Sequence, residues 1–325
     1  MTRGRTTRGR RLARQTGVAV ITALLLTTLA VTIVASLFWQ QQVQVRSMEN
    51  QRLHLQTQWI LRGALELSSL ILKSRTGQAS QYTSLDQVWT TPLAETRLDQ
   101  YIERERVENE VFNATLSGNL TDATARYNLN LLAQANGLPD PEQVAIFKRL
   151  LSNLQLDSGL APKIAVMVAS ANPAVPAGVP GAAAPRTASN VPMGLVQVDD
   201  LLAVPGVTKD TVDRLRDFVI VLPAGVETNL NTAPAEVISA LYQNCSVSQA
   251  AAIVEKRKQV PANSVANFDL MNPGLTQMSN AKLSVFSSYF LARSRIRLDR
   301  AALDAESLIE SKLGGQTTVL WTRQN

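Results

Sequence analysis

The run from Val18 to Trp39 constrains this chain most: 22 residues carry no charge, and they follow a stretch with six arginines (Arg3, Arg5, Arg8, Arg10, Arg11, Arg14) and no acid. About 20 apolar residues suffice to cross a bilayer as a helix. A secretory signal has a shorter apolar region, roughly 7–15 residues, with a small-residue cleavage site after it. Here the small residue, Gly17, lies before the apolar run, between it and the arginines. A cut at that point would remove the basic leader and keep the hydrophobic helix. Positive residues beside a span stay cytoplasmic. The bulk of the chain is therefore expected on the far side of the membrane.

The leader also explains the charge. The chain has 325 residues, 32 basic and 26 acidic, for a net charge of +6. Leaving out the six leader arginines leaves 26 of each sign. The basic balance thus says nothing about the working domain, and a nucleic-acid footprint needs a basic patch there. One cysteine, Cys245, cannot form an intrachain disulfide, and one histidine, His54, cannot build a histidine-rich metal site. His54 reads as a helix-surface residue. There is no phosphate loop, no CxxC and no glycine-rich nucleotide fingerprint. The acid pair Asp199-Asp200 reads as helix-start acids. Nothing here makes a catalytic constellation, so a non-enzymatic role is expected.

The helix is expected to continue past the membrane. Residues 40–73 hold no proline and one glycine, with Val45, Met48, Leu55, Trp59, Leu67 and Leu70 near helical spacing. Trp89 and Pro92 read as anchors in irregular chain. Arg106 to Leu116 and Thr121 to Asn130 read as two strands, joined as a hairpin by Ser117-Gly118-Asn119. Asp140 as N-cap and Pro141 at the first position predict a helix to Leu156. Six prolines over 157–194, among Ala, Gly and Val, predict a mobile loop. Val198–Leu202 and Lys209–Val219 flank a Val204-Pro205-Gly206-Val207 turn. Thr232–Tyr242, with Thr232 as N-cap, and Ser246–Lys258 read as helices. Lys256, Arg257 and Lys258 read as a solvated helix end. Phe290, Ala292, Ile296 and Leu298 share one strand parity, and Arg293, Arg295 and Arg297 the other, which predicts a half-buried sheet. Ala301–Ser311 reads as strand or helix, and Thr317–Arg323 as a closing strand.

Several of these stretches carry a family resemblance. Gly17-Val18-Ala19-Val20 opening the apolar run resembles the prepilin (class III) signal of type IV pilins and type II secretion pseudopilins. In that family a membrane peptidase cuts after the glycine and methylates the new N-terminus, which implies cleavage at Gly17–Val18 and methylation of Val18. Most members carry a glutamate at the fifth mature position, and here that place is Thr22. One member lacks that acid: the type II secretion minor pseudopilin K. Asp122-Ala-Thr-Ala-Arg-Tyr127-Asn128-Leu129-Asn130 is similar to that family's acid-rich turn into an Asn-Leu-Asn strand. Leu222-Pro223 followed by Thr228-Asn229-Leu230-Asn231-Thr232-Ala233-Pro234 nearly repeats a family phrase. Asn128, Asn130, Asn231, Thr232 and Pro234 are thereby implied as structural residues.

The resemblance implies an α+β fold: a long N-terminal hydrophobic and amphipathic helix on an antiparallel, pilin-like sheet, with an inserted helical domain of helix-hairpin-helix or SAM-like type. The expected organisation is a leader over 1–17, a transmembrane helix over 18–39 that continues to about 75, a pilin-like domain from 76–136 and 273–325, and an insert over 137–272 containing the 157–194 loop. It implies a minor pseudopilin that caps the tip of the periplasmic pseudopilus and helps initiate its assembly. The implied partners are minor pseudopilins I and J, other pseudopilins, the prepilin peptidase and the inner-membrane assembly platform. No cofactor is expected. Family members can bind calcium, but from Asn153 to Val198 the sequence offers only Asp157, a poor donor set for that ion. The rival reading is a membrane-anchored helix-hairpin-helix nucleic-acid receptor, resting on Gly206 and on Thr228–Ala233. It lacks the second hairpin glycine, since Thr208 stands there, and Gln243–Val247 has no glycine at all.

Overall fold

The computed structural model describes residues 16–75, 81–98, 113–171, 193–312 and 314–324. The arginine leader, the 106–112 part of the first strand expectation and the 172–192 part of the loop expectation lie outside the described residues. The chain divides into two units, residues 1–58 and 59–325. Helix α1, Thr16–Lys73, begins in the first and ends in the second. From Val18 it is long and apolar enough to cross a membrane, and its apolar window is unburied. The four threonines of the apolar run do not break it. Thr22 Oγ1 lies 3.0 Å from both Val18 O and Ala19 O, and Thr27, Thr28 and Thr32 donate to Leu24, Leu25 and Leu29 carbonyls at 2.8–3.0 Å. Each hydroxyl is satisfied within the helix, as a lipid environment requires.

The second unit is built on a five-stranded antiparallel sheet. Its strands are β1 (Leu93–Arg97), β2 (Ala114–Asp122), β7 (Tyr289–Leu298), β8 (Ala301–Ser311) and β9 (Thr317–Gln324), in that spatial order. Alternation along β7 sends Phe290, Ala292 and Ile296 to one face. There the end of α1 covers them: Leu61 and Ala64 pack with Leu116, Ile296 and Leu303, and Leu72 with Trp89, Phe290 and Ile309. Trp89 meets Phe290 edge-on at 5.3 Å, so it is the anchor its sequence position suggests. On the other face Arg293 and Arg295 stand opposite Glu306 and Asp304 on β8, at 3.0 and 2.8 Å.

Between β2 and β7 the chain builds the helical block. It contains β3 (Tyr127–Asn128), α2 (Pro141–Asn153), α3 (Leu160–Ala171), α4 (Lys209–Leu215), β4 (Val219–Ile220), β5 (Thr228–Asn229), α5 (Ala235–Leu241), α6 (Val247–Gln259), α7 (Val265–Met271) and β6 (Leu283–Ser284). Short parallel pairs β3–β4 and β5–β6 tie its loops. Asp140 caps α2 by accepting from the Glu142 and Gln143 amides. Ser246 and Gln249 form a capping box on α6. Ile146, Phe147, Leu150, Leu151 and Ile164 are fully buried in the block's core.

Several expectations are corrected. Ser117-Gly118-Asn119 is not a turn but the middle of β2, which pairs with β1 and β7, and Thr121–Asn130 is not a second hairpin strand. Gly118 serves a close approach: a Cβ there would lie 2.4 Å from Arg293 O. Part of the expected loop is helix α3, which tolerates Pro162 because the first helical turn has no amide to lose. Thr232 is not the N-cap of α5. That place is Pro234, and Thr232 is drawn elsewhere. Ala301–Ser311 resolves to strand.

Candidate functional site: an apolar helix and a buried polar joint

The residues that carried the family phrases converge where the chain leaves the sheet and returns to it. Asp122 ends β2 and is 6% exposed. One carboxylate oxygen accepts from the Thr124 amide at 2.8 Å and lies 2.7 Å from its hydroxyl. The other accepts from Asn229 Nδ2 at 3.1 Å, Thr232 Oγ1 at 2.5 Å and Ser287 Oγ at 2.5 Å. Asn229 Nδ2 also donates to Thr83 O and Ser287 Oγ, and Thr83 Oγ1 accepts from the Ser287 amide. A single buried carboxylate thus joins strand exit, strand return and the Asn229–Thr232 turn. This is where Thr232 is spent, and why it does not cap a helix.

Two cations balance it. Arg75, just beyond α1, donates to Thr83 Oγ1 at 2.7 Å and Ser287 O at 3.2 Å, with its guanidinium 4.5 Å over the Phe290 ring. Arg257 on α6 is 6% exposed and donates to Leu230 O at 2.5 Å, which corrects its reading as part of a solvated helix end. Burial pushes both guanidinium groups down to about 10, and the Asp122 charge partly opposes that shift. Sequence reasoning quoted Asp122 and Asn229 within motifs but did not single them out, and it missed Thr83, Ser287, Arg75 and Arg257. An isolated Asp followed two residues later by Thr, entering a Leu/Tyr-rich stretch, was the available signal for a buried turn acid.

The other phrase residues make a second clamp. Asn128 accepts from the Leu222 amide at 3.0 Å and donates to Pro223 O at 2.9 Å, while Asn130 donates to Leu222 O at 2.7 Å. Asn231 exchanges two bonds with Ala262, at 2.8 and 2.9 Å. Asn128, Asn130, Asn231 and Thr232 are therefore brought to loop junctions of one block, whereas Gly17, Val18 and Thr22 lie in α1, in the other unit. His54 is exposed on that helix, 2.9 Å from Gln58.

The remaining chemistry-bearing candidates have structural roles. Thr208, where a hairpin module would have its second glycine, accepts from the Thr211 amide and caps α4, while Gly206 turns at φ 97°. Asp200 accepts from the Val196 and Gln197 amides, and Asp199 pairs with Arg216 at 2.7 Å. Asp157 Oδ1 accepts from the Gly159 amide, and among the described residues no three metal-ligating side chains come together.

A helix long and apolar enough to cross a membrane, and an antiparallel sheet with a helical block strung between two neighbouring strands, are the parts of a pilin-like subunit. The type II secretion system protein K family models match residues 125–224 and 228–287. The chain belongs to that family and is a minor pseudopilin of type II secretion. It is 25% identical to the type II secretion system protein K of Pectobacterium carotovorum subsp. carotovorum, over 96% of this chain and 97% of that one. It is 28% identical to the protein K of Pseudomonas aeruginosa, over 92% and 90%. A solved structure of the GspK-GspI-GspJ complex from enterotoxigenic Escherichia coli shares its fold, with a TM-score of 0.58 at 20% identity, over 86% of this chain and 99% of that one.

Proposed function

We propose that this minor pseudopilin caps the tip of the pseudopilus together with minor pseudopilins I and J, and helps initiate its assembly. Thr22 is the observation that carries the reading. Its hydroxyl is satisfied by Val18 O and Ala19 O within its own helix, so this subunit asks no neighbour for a charge at that depth. An acid there would need a partner, because an unpaired charge in lipid is costly. A subunit with nothing stacked above it suits that chemistry. The helical block adds bulk suited to a tip rather than to the packed shaft. The structural neighbour, crystallised with GspI and GspJ, supports the choice of partners.

In this reading a prepilin peptidase cuts between Gly17 and Val18, Val18 is the methylated N-terminus, and the unit after α1 lies in the periplasm. Other pseudopilins and the inner-membrane assembly platform complete the set of partners. Mass spectrometry of the N-terminus, after expression with and without the peptidase, tests the first step. A peptidase-dependent start at Val18 supports the reading, and an intact leader in both samples rejects it. Co-purification with I and J tests the tip complex independently.

A further inference from the structure

We propose that the cleft between the outer face of the sheet and residues 197–221 is a recognition site for a carboxylate borne on a peptide segment of a protein partner, with Arg126 as the group that receives it. The proposal goes beyond the tip-cap reading by assigning a ligand chemistry to a surface that reading does not use. The cleft measures about 830 Å³ and is lined by five arginines (Arg126, Arg216, Arg293, Arg295, Arg323) against three acids (Asp199, Asp304, Glu306). All three acids are taken. Arg216 holds Asp199 at 2.7 Å, Arg293 holds Glu306 at 3.0 Å and Arg295 holds Asp304 at 2.8 Å. Arg323 lies 4.1 Å over the Trp321 ring and donates to Val196 O at 2.6 Å.

Arg126 is the one left over. Among the described residues its guanidinium has no hydrogen-bond or ion-pair partner, and the side chain is half-buried with its nitrogens open to the cleft. Its backbone position is fixed, because it follows the 3-10 turn that Asp122 caps. Burial and the nearby Arg293 charge lower its pKa, while the charges of Asp217, Glu306 and Asp122 act to raise it. A half-buried guanidinium whose donors face a cleft and meet no protein acceptor offers a carboxylate two parallel N–H···O bonds. The size decides between a small ion and a larger ligand. Clefts of roughly 300–1,000 Å³ take ligands of many atoms, far above the ~30 Å³ share of one water. The floor, which includes Leu291, Ile220, Val221 and Trp321, gives apolar contact beside the charge. An acidic side chain flanked by apolar residues on a peptide fits both features.

The test uses the full chain in detergent micelles, immobilised, and two random heptapeptide pools with the central residue fixed as Glu or as Gln. The Glu pool is expected to be retained about tenfold over the Gln pool, the scale of one charge-assisted pair. Arg126→Met should abolish that difference, and Arg126→Lys, which keeps the charge without the fork, should restore only part of it. If Arg126→Met loses its circular dichroism spectrum, Arg293→Met takes its place and should narrow the difference. Equal retention of the two pools, retention of neither, or a preference unchanged in these variants overturns the proposal. Full displacement of the Glu pool by millimolar inorganic phosphate overturns the peptide source and assigns the cleft to small anions.

Discussion

Asp122 sits where β2 ends, buried among donors from four other residues. Its oxygens gather a backbone amide, three hydroxyls and an amide side chain, and its charge partly offsets the desolvation of the half-buried Arg75 and the buried Arg257. Replacing both sides of a buried ion pair by apolar groups is often harmless, whereas removing one side strands the other. Asp122→Ala leaves the donors of Thr124, Asn229, Thr232 and Ser287 without their acceptor and removes the charge that opposes the burial of Arg75 and Arg257, and should lower unfolding free energy by about 3–5 kcal/mol. Arg257→Met removes one cation and one bond to Leu230 O, leaves Arg75 opposite the carboxylate, and should cost clearly less. Urea titrations of both variants check the order; an equal loss would show that the arginine bonds, not the carboxylate, hold the joint. The pH dependence has a defined sign. Burial holds Arg75 and Arg257 near 10, below the ordinary guanidinium range, so their burial cost is fully present at neutral pH and is relieved as pH rises through about 10.

At the level of elements, what could be read from sequence depended on whether periodicity or proline content spoke first. The β7 alternation of Phe290, Ala292 and Ile296 against Arg293 and Arg295 was legible because one face is buried and the other wet. The capped starts of α2 and α6 were legible for the same local reason. Helix α3 was hidden by Gly159, Pro162 and the prolines after it, although Leu160, Ile164, Ala165 and Val168 hold helical spacing and are buried. Ser117-Gly118-Asn119 looked like a turn because turn residues also serve strands that approach closely. The polar joint was illegible, since Asp122, Asn229 and Ser287 are far apart in sequence and meet only in the fold. Two predictions belong here. Ile164→Ala should cost about 2–5 kcal/mol, as for other buried branched side chains, while Val166→Ala, 59% exposed, should stay within about 0.5 kcal/mol. If both are silent in thermal melts, α3 is not part of the core. In α1, Thr22→Glu places an acid five residues into the apolar run, at a cost below the roughly 2.5–3.5 kcal/mol of a charge at mid-bilayer. Expressed without partner subunits, the variant should leave less carbonate-resistant protein in the membrane than wild type; an unchanged fraction would place Thr22 outside the hydrocarbon.

For residues 59–325 as a whole, the chain path itself is a cooperative device. The helical block hangs from β2 and β7, two strands paired along their whole length from Ala114–Leu298 to Asp122–Phe290, so its exit and return are neighbours. The block cannot loosen at one end without disturbing the other. Ala123, Ile220 and Leu222 from the block's side share a buried cluster with Tyr289, Leu291 and Leu308 of the sheet. Asn128 locks Leu222 into that cluster by accepting from its amide, which is buried. Losing that acceptor leaves a buried donor unpaired, at about 1–3 kcal/mol. Asn128→Ala should therefore be felt on both sides of the cluster. In amide exchange read peptide by peptide, α5 and β7 should share one opening free energy in the wild type, and both should exchange about ten to a hundred times faster in the variant. If α5 speeds up while β7 keeps its protection, the block opens by itself, and the shared cluster is a contact between two separately folding parts rather than the core of one.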